Sequence, residues 1–345
     1  SEYGYLGYDS IDSGVAMITD GASWNSSVID VGYGGAGTLM ITNGGNVYGW
    51  NASIARLPGS LGMAMVSGID SYWDTDDELY VGEQGHATLT ISHDGRVSCD
   101  RGIIGHDDAS TGDVTVSNGA NLISSGGLDV GFNGFGTLSI TNDGTVTSGE
   151  CSIGDGFEST GVVTVRDNSR WDLSGDLYVG RSGRGTLNIS SGSEVGGDYV
   201  FIGEGYDSVG EVTVSDNATW NPHQVRVGVS GDGSLEISNN GTVDSDEGYI
   251  GYEPDSTGSV TVSGSGSWWD SGELHVGERG SGELMILNGG VVDGSHERGV
   301  IGYDFDSTGA VSVSGESSMW GIAELYVGMS GDGVLSVSDG GTVNS

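Results

Sequence analysis

The residues best suited to chemistry are carboxylates that recur in pairs: Asp155 with Glu158, Glu204 with Asp207, Glu253 with Asp255, and Asp304 with Asp306. Oxygen ligands repeated in rows suit Ca2+, which accepts roughly six to eight oxygens in loose geometry, so these eight residues are candidate Ca2+ ligands. The alternative is that they are solvated turn residues. The Gly-Gly-x-Gly-x-Asp nonapeptide of calcium-binding β-rolls does not occur, and one corner of the same kind reads Leu57-Pro58-Gly59.

Other reactive residues are dispersed. His86, His93, His106, His223, His275 and His296 share no spacing that would bring several to one metal. There is no Ser/His/Asp arrangement and no phosphate-binding loop, so the reading is of a protein that is not an enzyme and needs no cofactor. A polysaccharide lyase remains an alternative on fold grounds, but it would gather acids and bases in one groove, whereas the ten Arg are scattered. Cys99 and Cys151 fall at different phases of the repeat described below, too far apart for a disulfide.

Acidic residues number 49 against 10 basic ones, all Arg, giving a net charge of −39. Such a chain repels polyanions, so nucleic acid and anionic membranes are poor partners. No stretch approaches the roughly 18 apolar residues of a membrane span, and residues 1–25 lack the basic-then-apolar order of a signal peptide.

The elements that position these residues emerge from a repeat. An aliphatic residue followed by Gly marks Gly7, Gly32, Gly82, Gly105, Gly131, Gly154, Gly180, Gly203, Gly228, Gly251, Gly277, Gly302 and Gly328, with Ala55 in the one gap, at spacings of 23 to 27 residues. A second Gly follows alternately seven or five residues later, except for Ala87. Two and four residues past that second mark the chain is apolar with polar residues between, as at Val163 and Val165 or Leu187 and Ile189. Period-two alternation in short β-branched runs bounded by Gly, Asn and Asp is a half-buried strand. The fold class is therefore all-β: a single-stranded parallel β-solenoid of about 14 coils in two alternating types, with three short strands per coil. Residues 1–345 are expected to form one continuous domain of seven two-coil repeats of about 49 residues each.

The two coil types differ in one core position. The five-residue type carries Val47, Val97, Val146, Val195, Val243, Val292 and Val343; the other carries Trp24, Tyr72–Trp73, Leu122, Trp171, Trp220, Trp268–Trp269 and Met319–Trp320. The residue three before the first mark varies in the opposite sense, small in most Trp coils (Gly4, Ala52, Gly102, Cys151, Gly248, Gly299). Stacked layers filling one cross-section need such compensation. Val200 with Trp220 and Leu122 with Gly102 depart from it.

Two outward rows carry further possibilities. Ser or Thr fills most positions five residues past the second mark, and Thr115, Thr164, Thr213 and Thr261 make a neighbouring row, an arrangement that would suit ice binding. Tyr80, Tyr178, Tyr249 and Tyr326 offer stacking platforms for glycans.

The stretches Leu177-Tyr178-Val179-Gly180 through Gly185-Thr186-Leu187, and Asp255-Ser256-Thr257-Gly258 onward to Trp268, resemble repeats in the passenger regions of bacterial autotransporter-type surface proteins. That resemblance spans nearly the whole chain and implies an extracellular, cell-surface bacterial β-helix, often adhesive, with no catalytic residues to carry over. Joining Ser345 to Ser1 would keep the repeat in phase, with Gly7 falling nine residues after Val343 where internal junctions of this type use eight to ten. The expected function is thus a subunit or segment of a fibre whose copies stack head to tail, the partner being the chain itself. An adhesin that binds glycans is the alternative.

Overall fold

The computed structural model describes residues 2–344, apart from the side chains of Ser295 and His296. Its Cα packing divides into two units, Ser1–Gly175 and Asp176–Ser345. Each is a parallel β-solenoid of seven coils, so that the chain winds through about fourteen turns, with no helix among the described residues.

In both units the strand after the second mark pairs with its equivalent one coil on, in parallel and in constant register. Ala36–Thr42, for example, lies between Ser13–Ile18 and Leu61–Ser67. The strand before the first mark and the strand around the Val/Trp position build the other sheet, and where no corner separates them they run on as one, as in Thr145–Ile153 and Thr219–Val227. Alternation in the sequence becomes alternation in burial: in Ala36–Thr42 the residues Leu39 and Ile41 are fully buried while Thr38, Met40 and Thr42 are partly exposed.

The corners explain the glycine marks. Gly7, Gly32, Gly82 and Gly105 take φ between +63° and +78°. That left-handed region costs a side chain about 1–2 kcal/mol. Space is short there too: a Cβ added at Gly82 would lie 2.6 Å from the carbonyl carbon of Thr111, one coil on. Ala55 is the exception, at φ +62°, and the second exception, Ala87, belongs to the very next coil.

The core file matches the sequence reading within each unit. Val47, Trp73, Val97, Leu122, Val146 and Trp171 follow one another in register, as do Val195, Trp220, Val243, Trp269, Val292 and Trp320. All of these are buried. Where the sequence offers two candidates, Trp73, Trp269 and Trp320 go inward and Tyr72, Trp268 and Met319 do not. Size compensation is direct contact: a Cβ at Gly248 would stand 2.8 Å from Trp269 Cζ2, and one at Gly299 2.9 Å from Trp320 Cζ2. The Gly102 exception resolves differently, because Ser124 Oγ accepts the Gly102 N–H at 2.8 Å and Leu128 fills the space a Trp fills elsewhere. Nothing in the structure explains Val200 beside Trp220.

Buried indoles also need a hydrogen-bond acceptor. Trp171 Nε1 donates to Ser148 Oγ and Trp269 Nε1 to Ser245 Oγ, both at 3.1 Å. Each serine sits two residues past the core Val of the preceding coil, where Gly49, Gly197 and Gly294 stand before Trp73, Trp220 and Trp320, whose Nε1 atoms have no partner among the described residues. Replacing Ser148 or Ser245 by Ala is expected to cost about 1–3 kcal/mol, the penalty for stranding a buried donor. Urea unfolding followed by tryptophan fluorescence checks this, and a midpoint unchanged in both variants contradicts it.

Candidate functional site

Alternation places one row of side chains outward on the strand before the first mark. Phe201 stands between fully buried Val200 and Ile202, and Arg226 between fully buried Val225 and Val227. In Asp176–Ser345 this row reads Tyr178, Phe201, Arg226, Tyr249 and His275, each paired with the next across adjacent coils. Neighbouring strands lie about 4.8 Å apart, close enough for ring stacking along the row. Tyr178 and Phe201 stack with centroids 4.9 Å apart at 9°.

Residues just past the mark add a second column. Arg181 lies over the Tyr178 ring at 4.4 Å, and Tyr252 meets Tyr249 edge-on at 5.4 Å. The Arg226 guanidinium lies 5.2 Å from the Phe201 centroid and 4.4 Å from that of Tyr252. Between the columns runs an open groove of about 640 Å³ lined by Arg181, Phe201, Glu204, Arg226, Tyr252 and Glu253 among others.

The row's next member is a charged cluster. His275, with its side chain 5 % exposed, contacts Glu278 through Nδ1 and Glu273 through Nε2 at 2.8 Å, and Arg298 Nε donates to Glu273 at 3.0 Å. Burial opposes the imidazolium, but the hydrogen bonds and charges of Glu278 and Glu273 outweigh it and raise the His275 pKa. The hydroxyls of Tyr80, Tyr249 and Tyr326 each donate to the Glu two residues earlier, at 2.6, 3.2 and 3.1 Å, which fixes the outward tyrosines named from sequence.

In Ser1–Gly175 the same row is differently filled. Tyr5, Asp30, Ser53, Tyr80, Ile103, Asp129 and Ser152 follow in register. Here Arg56 is neutralised by Asp30 at 2.9 Å and Arg101 by Asp129 at 2.6 Å. Tyr3, Tyr5, Tyr8 and Tyr33 form a ring cluster at the first coils.

The acidic corners are turn residues in the structure. Glu158, Asp207, Asp255 and Asp306 adopt φ of +61° to +66°, a conformation short polar side chains tolerate best. Glu204 lies 3.5 Å from Arg181, Glu253 2.8 Å from Arg279 and Asp304 3.7 Å from the same Arg279, while the charge of Asp155 acts on Arg101. Among the described residues no three or more His, Cys, Asp or Glu side chains are grouped to hold a metal. A separate acidic hollow of about 470 Å³ has Asp244, Asp270 and Asp293 in register along it. Burial raises the Asp270 pKa, the Gly272 N–H counters it, and Asp244 and Asp293 add to the rise.

One row differs from the sequence expectation. The Ser/Thr row five past the second mark turns partly inward, with Ser92, Ser117 and Thr141 at 6–8 % exposure, because it sits where the strand bends into the corner. Its hydroxyls bond one another, as Ser92 does Ser67 at 3.1 Å. Of the histidines, His86, His106 and His223 each bond one separate partner, and the His296 side chain lies outside the described residues. Cys99 and Cys151 are buried free thiols, and burial pushes Cys99 up to about 12. The sequence reading missed the corner serines: Ser60, Ser110, Ser159, Ser208, Ser256 and Ser307 are buried and each donates to the carbonyl three residues earlier at 2.7 Å. Their signal was a Ser two residues before the second Gly of every seven-residue corner except the first.

Known proteins add little to this geometry. No family model matches the chain, and no curated protein does. One solved structure is similar. It is the crystal structure of the TibC-catalysed hyper-glycosylated TibA55-350 fragment, at 14 % identity and a TM-score of 0.43 over 99 % of each chain.

Proposed function

We propose that this chain is an extracellular β-solenoid scaffold of a bacterial cell surface, adhesive in kind, whose outward aromatic row contacts glycans. The observation that carries the reading is the register of Tyr178, Phe201, Arg226 and Tyr249, of which Phe201 and Arg226 line an open groove. A sugar ring offers one apolar face to an aromatic side chain and hydroxyls to flanking polar groups, and this groove supplies both kinds of contact. The scaffold holds the row rigid, because every outward residue is flanked by buried neighbours on its own strand. Immobilised neutral and acidic glycans are the test. Saturable binding that Phe201→Ala and Tyr252→Ala each weaken supports the reading, and no binding to any glycan contradicts it.

A second reading is a fibre of head-to-tail copies, favoured by the constant register in which successive coils pair, a ladder that a further copy could continue. Electron microscopy of purified chain distinguishes it: fibres of uniform width support stacking, and isolated particles at high concentration count against it.

A further inference from the structure

We infer that Arg226 makes the groove selective for a sugar bearing a single carboxylate, a uronic-acid-type residue. The inference rests on the glycan reading and names the ligand class of that same groove.

Among the described residues, seven of the ten arginines lie within 4 Å of a carboxylate, and Arg96, Arg184 and Arg226 do not. Arg96 and Arg184 are exposed to solvent, where water satisfies them. Arg226 is partly buried between the Phe201 and Tyr252 rings. In a chain with 49 acidic residues, a half-buried guanidinium left without one is a specific placement.

Its orientation is fixed from behind. Arg226 Nε donates to Gln224 Oε1 at 2.6 Å, and Gln224, only 6 % exposed, donates in turn to Glu247. Glu247 also accepts from Tyr249 at 3.2 Å, so its charge is already engaged away from the guanidinium. Among the described residues neither Nη of Arg226 donates to a protein acceptor, and Arg226 lines the groove. A carboxylate is the geometric match for two parallel N–H donors.

The remaining walls select the rest of the ligand. Tyr252 and Phe201 line the groove beside Arg226 and supply aromatic carbon against which the apolar side of a pyranose can rest. Glu204 and Glu253, also in the wall, are held by Arg181 and Arg279, so their repulsion of an incoming anion is offset locally. The net charge of −39 disfavours densely charged polymers. At physiological salt that field decays within about 8 Å, and the contact with Arg226 governs a short ligand carrying one carboxylate.

The test is calorimetric titration of the full chain at physiological salt with a glucuronic-acid-containing disaccharide and with its methyl ester, which keeps the shape and removes the charge. The acid is expected to bind at least about tenfold tighter than the ester. Arg226→Gln should bring the acid down to the ester's affinity, and Arg226→Lys, which keeps the charge but not the fork, should lose most of the preference. Equal binding of acid and ester by the unaltered chain, or a preference that survives Arg226→Gln, overturns the assignment. If neutral glycans bind while the acid shows no advantage, the adhesin reading stands and this inference fails. If no glycan binds, both fail.

Discussion

Replacing Gly105 by Val is expected to destabilise the chain by about 4 kcal/mol. Gly105 sits at φ +69°, where a β-branched residue is strained by roughly 1–3 kcal/mol. Its Cβ would also fall 2.6 Å from the carbonyl carbon of Phe135, whose strand is the next coil's, so relief requires moving backbone. Overpacking of that kind adds about 1–3 kcal/mol. Ala55 shows that one methyl at this phase is survivable, and it occurs where the facing second mark has also changed, to Ala87. Gly105→Ala should therefore cost less than Gly105→Val. Chemical denaturation followed by circular dichroism measures both, and equal midpoints for the valine variant and the parent would remove the steric account of the marks.

Arg56→Met is the second large effect, about 3 kcal/mol at neutral pH. Asp30 is fully buried, and Arg56 Nη1 reaches both of its oxygens, at 2.9 and 3.2 Å. Burial raises the Asp30 pKa, and the charge and hydrogen bond of Arg56 pull it back. Without Arg56 the carboxylate is buried and unpaired, so its folded pKa climbs further above the unfolded value near 4. A raised acid pKa penalises the native state at high pH, and the penalty disappears as pH falls through the folded value towards the unfolded one. The loss should accordingly be greatest at pH 7 and shrink on acidification, and Asp30→Asn added to Arg56→Met should recover most of it. A loss independent of pH would mean that Arg56 acts through packing of its stem.

Much of this scaffold was legible because glycine spacing reports where the chain must turn and period-two alternation reports which way a side chain faces. Those two signals were enough for coils, strands, and the Val and Trp file. They do not report contacts between coils. Tyr72 and Trp73 are adjacent, and only the corner's geometry decides which goes inward. Leu122 against Gly102 looked anomalous because the compensating group is Ser124, a polar residue acting as filler through a hydrogen bond to backbone. The outward tyrosines were visible singly, but the row that includes Phe201, Arg226 and His275 appears only when registers across 23 to 26 residues are laid side by side. The acidic corners are Ca2+ candidates from the sequence, and the structure adds the left-handed turns and arginine neighbours of several of them.

Two coil types fill one cross-section by trading bulk between two positions. A double-mutant cycle on Gly248 and Trp269 tests it most directly, since Gly248→Leu with Trp269→Val rewrites one coil in the other's pattern. Each change alone should destabilise, the first by overpacking against the indole and the second by leaving a cavity. Together they should recover at least about 2 kcal/mol relative to the sum of the two losses. Unfolding free energies that simply add would contradict the shared cross-section.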